Sequence, residues 1–123
     1  MRSLKLLVVD DSRAMRSIIR RVLRQAGYGR HEVLEAPDGR SAIDVIKANR
    51  PHLILADWNM PVMNGMDLLK VVRQAKLDIP FGFITAEGTT DMRETATANG
   101  ADFFVAKPFN AMDIKGALSK YLG

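Results

Sequence analysis

Five residues of this chain could do chemistry together: Asp10, Asp11, Asp57, Thr85 and Lys107. Three carboxylates in one place are unstable if left alone. Two unit charges about 4 Å apart repel by roughly 4 kcal/mol at an effective dielectric near 20, and one lysine offsets only part of three such pairs. A hard divalent cation with oxygen ligands is the natural remedy, and a site that keeps several waters suits magnesium better than a closed calcium cage. Nothing here resembles an EF-hand loop, and without cysteine or paired histidines zinc lacks its usual ligands. The same set fits phosphoryl transfer. The cation and the ammonium neutralise equatorial oxygens, the hydroxyl donates to one of them, and a carboxylate can be the covalent acceptor. Pro61 and Gly65 frame the loop after Asp57 and leave room for backbone carbonyls to ligate the metal.

Such distant positions meet only if the intervening elements end at a common edge. Leu6-Leu7-Val8-Val9 is a near-continuous apolar run, the pattern of a parallel strand covered on both faces. Ser12 to Ala26 carries apolar residues at Met15, Ile18, Ile19, Val22, Leu23 and Ala26, a helical stripe closed by Gly27. Glu32 to Ala36 reads as a weaker strand, Pro37-Asp38-Gly39 as a turn, and Ala42, Ile43 and Ile46 restore helical spacing. Leu53 to Ala56, Phe81 to Ile84 and Asp102 to Ala106 are further strands, each followed by a helix: Gly65 to Ala75, Thr89 to Asn99 and Ala111 to Leu122. Asn110 with Asp113 reads as an N-cap with an acidic first turn. Strict alternation predicts an α/β domain whose parallel sheet has helices on both faces. Ligands in such sheets bind outside the carboxyl ends of the strands, where all five residues fall.

The 123 residues have room for one domain, and 47 % hydrophobic against 26 % charged residues predicts an ordinary packed core. The early apolar run contains Lys5 and stops at Asp10-Asp11, too short for a signal peptide or a membrane span. The chain therefore reads as soluble and cytoplasmic, without membrane insertion.

Leu7-Val8-Val9-Asp10-Asp11-Ser12, Asp57-Trp58-Asn59-Met60-Pro61, Gly65, Thr85-Ala86 and Lys107-Pro108-Phe109 together resemble the motif set of bacterial two-component response-regulator receiver domains. The match runs from residue 4 to residue 122, and the doubled aspartate with Trp58-Asn59 is most similar to the stand-alone chemotaxis branch. The resemblance implies a flavodoxin-like (βα)5 fold, doubly wound, with strand order 2-1-3-4-5. It implies a signalling switch rather than an enzyme, phosphorylated on Asp57 and resetting by its own hydrolysis of the phosphate. Asp11, Asp57 and the backbone carbonyl of Asn59 would hold one Mg2+, with Asp10 acting largely through water. Lys107, Thr85 and Ala86 would meet the phosphoryl group, Phe104 would move with Thr85, and the Lys107-Pro108 peptide would be cis. Asn59 and Glu87 occupy the positions that tune loss of the phosphate. Implied partners are a histidine kinase or phosphotransfer protein on the input side and a flagellar motor switch component on the output side, with the chain itself a monomer. The switching face would be helix four, strand five and helix five. Phe104 stands where the chemotaxis branch usually has tyrosine, so a hydroxyl contact to a motor protein is impossible. That favours the alternative of a phosphate sink, a phosphorelay shuttle or a regulator of a partner enzyme. Asn64, in place of a frequent aspartate, reads as a neutral turn variant.

Other features have plainer readings. A flavin carrier would need a phosphate-cradling loop after strand one, where two aspartates stand instead. A haloacid-type phosphatase would want a second aspartate where Asn59 lies. Arg13, Arg16, Arg20 and Arg24 share one face of the first helix, either a merely solvated face or a docking surface for an acidic kinase or phosphotransfer partner. No recognition motif supports nucleic-acid binding. Trp58 reads as packing over the loop, His31 and His52 as solvent-facing, and Met92 as the one large apolar residue on a thinly buried, movable fourth helix.

Overall fold

The computed structural model describes residues 3–123. Five strands alternate with five helices: β1 (Lys5–Val9), α1 (Arg13–Leu23), β2 (Glu32–Ala36), α2 (Gly39–Asn49), β3 (Leu53–Ala56), α3 (Gly65–Gln74), β4 (Phe81–Thr85), α4 (Thr90–Ala98), β5 (Phe103–Ala106) and α5 (Ala111–Leu122). All pairings are parallel, in the order β2-β1-β3-β4-β5. This is the expected doubly wound architecture.

Period-two alternation sorts the strand side chains between two cores. Leu6, Val8, Leu53, Leu55, Ile84 and Val105 pack against Ile19, Val22 and Leu23 of α1 and Ile114, Leu118 and Leu122 of α5. Leu7, Val9, Ile54, Ala56, Phe81 and Phe83 face the other way, onto α2, α3 and Ala96 of α4. The central strands β1 and β3 are buried along both faces, which is why their sequences run apolar without interruption. Edge strand β2 exposes Glu32 and Glu35, which explains its weaker signal.

Each helix begins on a side-chain cap at the same edge of the sheet. Ser12, Asp38, Asn64, Thr89 and Asn110 accept from Met15, Ser41, Asp67, Met92 and Asp113 backbone N–H groups, satisfying donors that the first turn leaves open. Asn110 and Asp113 form a reciprocal capping box. The expected end of the first helix needs one refinement. Regular α bonding stops at Leu23, and a wider π-type turn, Arg24–Tyr28, completes it with Gly27 at φ 98°.

The solvent assignment of His31 is corrected. Only 6 % of it is exposed, and its ring stacks on the fully buried Tyr28. His31 Nδ1 accepts from the Leu4 backbone N–H at 3.0 Å, so the proton sits on Nε2 and the ring is neutral. His52 is exposed as expected, yet its Nδ1 accepts from Lys5 N at 3.0 Å. In both loops the imidazole accepts from a backbone N–H, that of Leu4 just before β1 or of Lys5 at its start, a role that period and polarity do not encode. Burial, then the charges of Arg30 and His52, lower the His31 pKa below its ordinary 6.5. A depressed histidine binds protons more readily unfolded, so its stabilising contribution is complete above the unfolded value and declines as pH falls below it. Urea denaturation of the parent from pH 8 to 5 is expected to show stability falling below about pH 6.5, and His31→Gln to flatten that fall. Superimposable profiles would remove His31 as the cause.

A candidate phosphoryl-transfer and metal site

β1 delivers Asp10 and Asp11, β3 delivers Asp57, and one carboxylate oxygen from each lies within 4.8 Å of the others. Asp10 is nearly sealed at 2 % exposure, Asp57 is partly buried and Asp11 is open to solvent. β5 delivers Lys107, whose Nζ donates to Asp10 Oδ2 at 3.1 Å and lies 3.6 Å from Asp57 Oδ2. The Lys107-Pro108 peptide is cis, as expected. The other Asp57 oxygen, Oδ1, accepts from the Trp58 backbone N–H at 2.9 Å. Asp57 N donates to Val9 O at 2.8 Å, so the neighbouring strand fixes the backbone at Asp57.

The electrostatics of Asp57 leave it short of positive charge. Its pKa is raised, first by burial and further by Asp10, while Lys107 and the Trp58 N–H pull it down without prevailing. A buried carboxylate that one ammonium cannot fully stabilise beside two further carboxylates is a donor set that fits a hard divalent cation.

The remaining expected residues fall into three places. Asn59 and Glu87 meet across the mouth: Asn59 Nδ2 donates to Glu87 Oε2 at 2.9 Å, both residues being exposed. Thr85, 3 % exposed, accepts from Glu87 N on its Oγ1 at 3.1 Å, which leaves the hydroxyl proton free for another acceptor. Ala86 is exposed at the start of the β4–α4 loop. Phe104 sits behind the site. Its ring stacks on Phe83 at 5.7 Å and carries the Arg93 guanidinium 5.4 Å from its centroid. Phe83 in turn meets Trp58 at 4.8 Å, so Trp58 packs beside the loop as its sequence context suggested. Arg13, Arg16, Arg20 and Arg24 do not form one free face. Arg16, only 14 % exposed, and Arg20 both pair with Glu35 at 2.9 and 3.0 Å, while Arg13 and Arg24 are exposed. Sequence reasoning missed Glu35 and Arg93. An acid on an edge strand beside an arginine-rich helix was the available clue to the first. The second gave no local signal.

The loop after Asp57 is tightly drawn. Gly65 N donates to Trp58 O, and Gly39 N to Met63 O, both at 3.0 Å. Asn64, read as a turn variant, caps α3. Val62 adopts φ 68°, an uncommon conformation for a β-branched residue, and Met63 N closes the turn onto Pro61 O. A Cβ on Gly65 would collide with the Asp57 carbonyl and the Phe83 ring. Gly65→Ala is therefore expected to lose about 1–3 kcal/mol of stability and to shift Trp58 emission. A variant with parental stability and emission would show that the loop yields freely.

The chain matches the response regulator receiver domain model over residues 6–119. It is 42 % identical to the chemotaxis protein CheY1 of Helicobacter pylori, covering 98 % of both chains. With the chemotaxis protein CheY homolog of Campylobacter jejuni it shares 41 % identity over 98 % of this chain and 93 % of that one. Among solved structures, the Vibrio cholerae chemotaxis protein CheY4 superposes with a TM-score of 0.86 at 34 % identity, covering 98 % of this chain and 99 % of that one. Fold, acidic cluster and sequence agree, and the chain belongs to the response regulator receiver domain family.

Proposed function

We propose that this receiver is a phosphorylation-driven switch in a chemotaxis pathway, with Asp57 as the phosphoacceptor. The observation that carries the reading is the meeting of Asp57 with Asp10, Asp11 and Lys107 at one sheet edge, in a chain so similar to CheY proteins. An Asp57 carboxylate oxygen attacks the phosphorus of a phosphohistidine on a kinase or phosphotransfer protein. The P–N bond breaks, the imidazole leaves, and an aspartyl phosphate remains. Water later attacks the same phosphorus, releasing inorganic phosphate and restoring the carboxylate.

Asp10, Asp11, Asp57 and the backbone carbonyl of Asn59 are the groups assigned to hold Mg2+, which when bound supplies the charge neutralisation that Lys107 alone cannot. Lys107 Nζ, already placed between two carboxylates, would donate to a phosphoryl oxygen on Asp57. The Thr85 hydroxyl, holding Glu87 N as an acceptor, keeps its proton for another. Ala86 flanks it. Asn59 and Glu87, joined by a hydrogen bond, are the pair assigned to tune loss of the phosphate. Only Ala96 of α4 is buried, so α4 is the element that gives when Thr85 and Phe104 move, and the α4-β5-α5 face is the output surface. Arg13 of α1 and Arg24 of the π-type turn after it are the two of those four arginines left for an acidic input partner. Among the described residues no helix is long and apolar enough to cross a membrane, in keeping with action in the cytoplasm.

Phe104 is the feature that favours a second output, storage or relay of phosphate without motor binding. Mass spectrometry tests the acceptor. With a small-molecule phosphodonor and Mg2+ the parent is expected to gain one phosphoryl group, and Asp57→Asn and metal-free samples are expected not to. Phosphorylated Asp57→Asn would refute the assignment. Lysate capture with the beryllofluoride-loaded chain then separates the outputs. A flagellar switch component bound only in the loaded state supports the chemotaxis effector, whereas capture of a kinase or phosphotransfer protein alone supports the sink.

A further inference from the structure

Asp10 is held from four directions. Its N–H donates to Ala36 O at 3.1 Å, its Oδ1 accepts from Ser12 N at 2.9 Å and its Oδ2 from Lys107 Nζ at 3.1 Å. The fourth hold is on the backbone: Arg16 Nη1 donates to the Asp10 carbonyl at 2.6 Å. Arg16 itself is clamped, because its Nε donates to Glu35 Oε1 at 2.9 Å. The second Glu35 oxygen accepts from Arg20 at 3.0 Å. A partly buried guanidinium thus spans from the edge strand β2 to the peptide that joins Asp10 to Asp11.

That peptide is planar, so fixing its carbonyl fixes the direction in which the chain leaves for Asp11. Asp11 is the exposed member of the acidic trio, and the other two gain order from Lys107. We infer that Arg16, held by Glu35, is a positioning residue for the cation site, setting the Asp10–Asp11 peptide so that the Asp11 carboxylate is presented to the metal. This rests on the reading that the trio holds Mg2+. Glu35 is on the edge strand and contributes no ligand atom to the acidic cluster, yet through Arg16 it acts on that site.

Arg16 has two opposed effects on a dication, and their signs differ. Its charge repels the ion, so charge alone predicts tighter binding when the arginine is removed. Its hold on the peptide predicts weaker binding, and partners behind metal ligands typically cost about 10–100-fold in affinity when lost. The positioning role requires the second effect to win.

Mg2+ titration followed by the emission of Trp58, the one tryptophan of the chain, separates them. The parent, Arg16→Met, Glu35→Gln and the double variant are compared, with metal-free melting curves confirming that each is folded. Arg16→Met is expected to bind Mg2+ about tenfold more weakly, and Glu35→Gln to weaken it by less. The double variant should be no weaker than Arg16→Met, because Glu35 acts through Arg16. Unchanged or tighter binding by folded Arg16→Met overturns the inference, and so do fully additive losses. Should Arg16→Met fail to fold, Glu35→Gln decides alone: parental affinity there overturns the role. A parent that shows no Mg2+ response removes the metal reading itself, and this inference with it.

Discussion

Three carboxylates with oxygens within 4.8 Å of one another, one of them almost sealed from water, repel strongly enough to oppose the fold that gathers them. The ammonium of Lys107 is what this chain sets against that repulsion. It touches Asp10 directly and stands 3.6 Å from Asp57, yet burial still raises the Asp57 pKa. That shortfall of positive charge is what makes the acidic trio a donor set that fits a hard divalent cation. Other strong local ties surround the same point: backbone bonds from Ala36 and Val9, the Trp58 N–H and the Arg16 guanidinium all restrain the acidic groups that electrostatics would push apart.

The parallel sheet makes that concentration possible. Every strand ends at the same edge, and every helix begins there on a polar cap. Residues from positions 10 to 107 therefore meet without a long excursion of the chain. Behind the edge, Trp58, Phe83 and Phe104 form a contiguous aromatic file that ends under Arg93 of α4. α4 buries only Ala96, so the file leads from the acceptor loop to the least anchored helix.

How much of this the sequence disclosed depends on the range of the interaction. The runs at Leu6–Val9 and Leu53–Ala56 announced buried parallel strands because both faces are covered, and Asn110 with Asp113 announced the cap of α5 because the motif spans three residues. The acidic trio was legible because one type of residue recurred at strand ends. Glu35 was not, since an edge-strand glutamate looks solvated until α1 is packed over it. His31 misled for a related reason: polar neighbours in sequence implied solvent, whereas Tyr28 and β1 enclose it in space. Arg16 was visible as a charge and mistaken for surface, because whether an arginine faces out or reaches back to a carbonyl is decided by tertiary contacts.

The bond between Lys107 and Asp10 joins positions 97 residues apart. During synthesis the amino-terminal βα units emerge first, carrying Asp10, Asp11 and then Asp57 while the residue that balances them is still unmade. The acidic groups have no lysine to hold them until β5 has been added at the sheet edge. A chain that stops short of β5 therefore gathers the three carboxylates without the lysine set against them, so the sheet edge reaches its charge balance only when the last βα unit is in place.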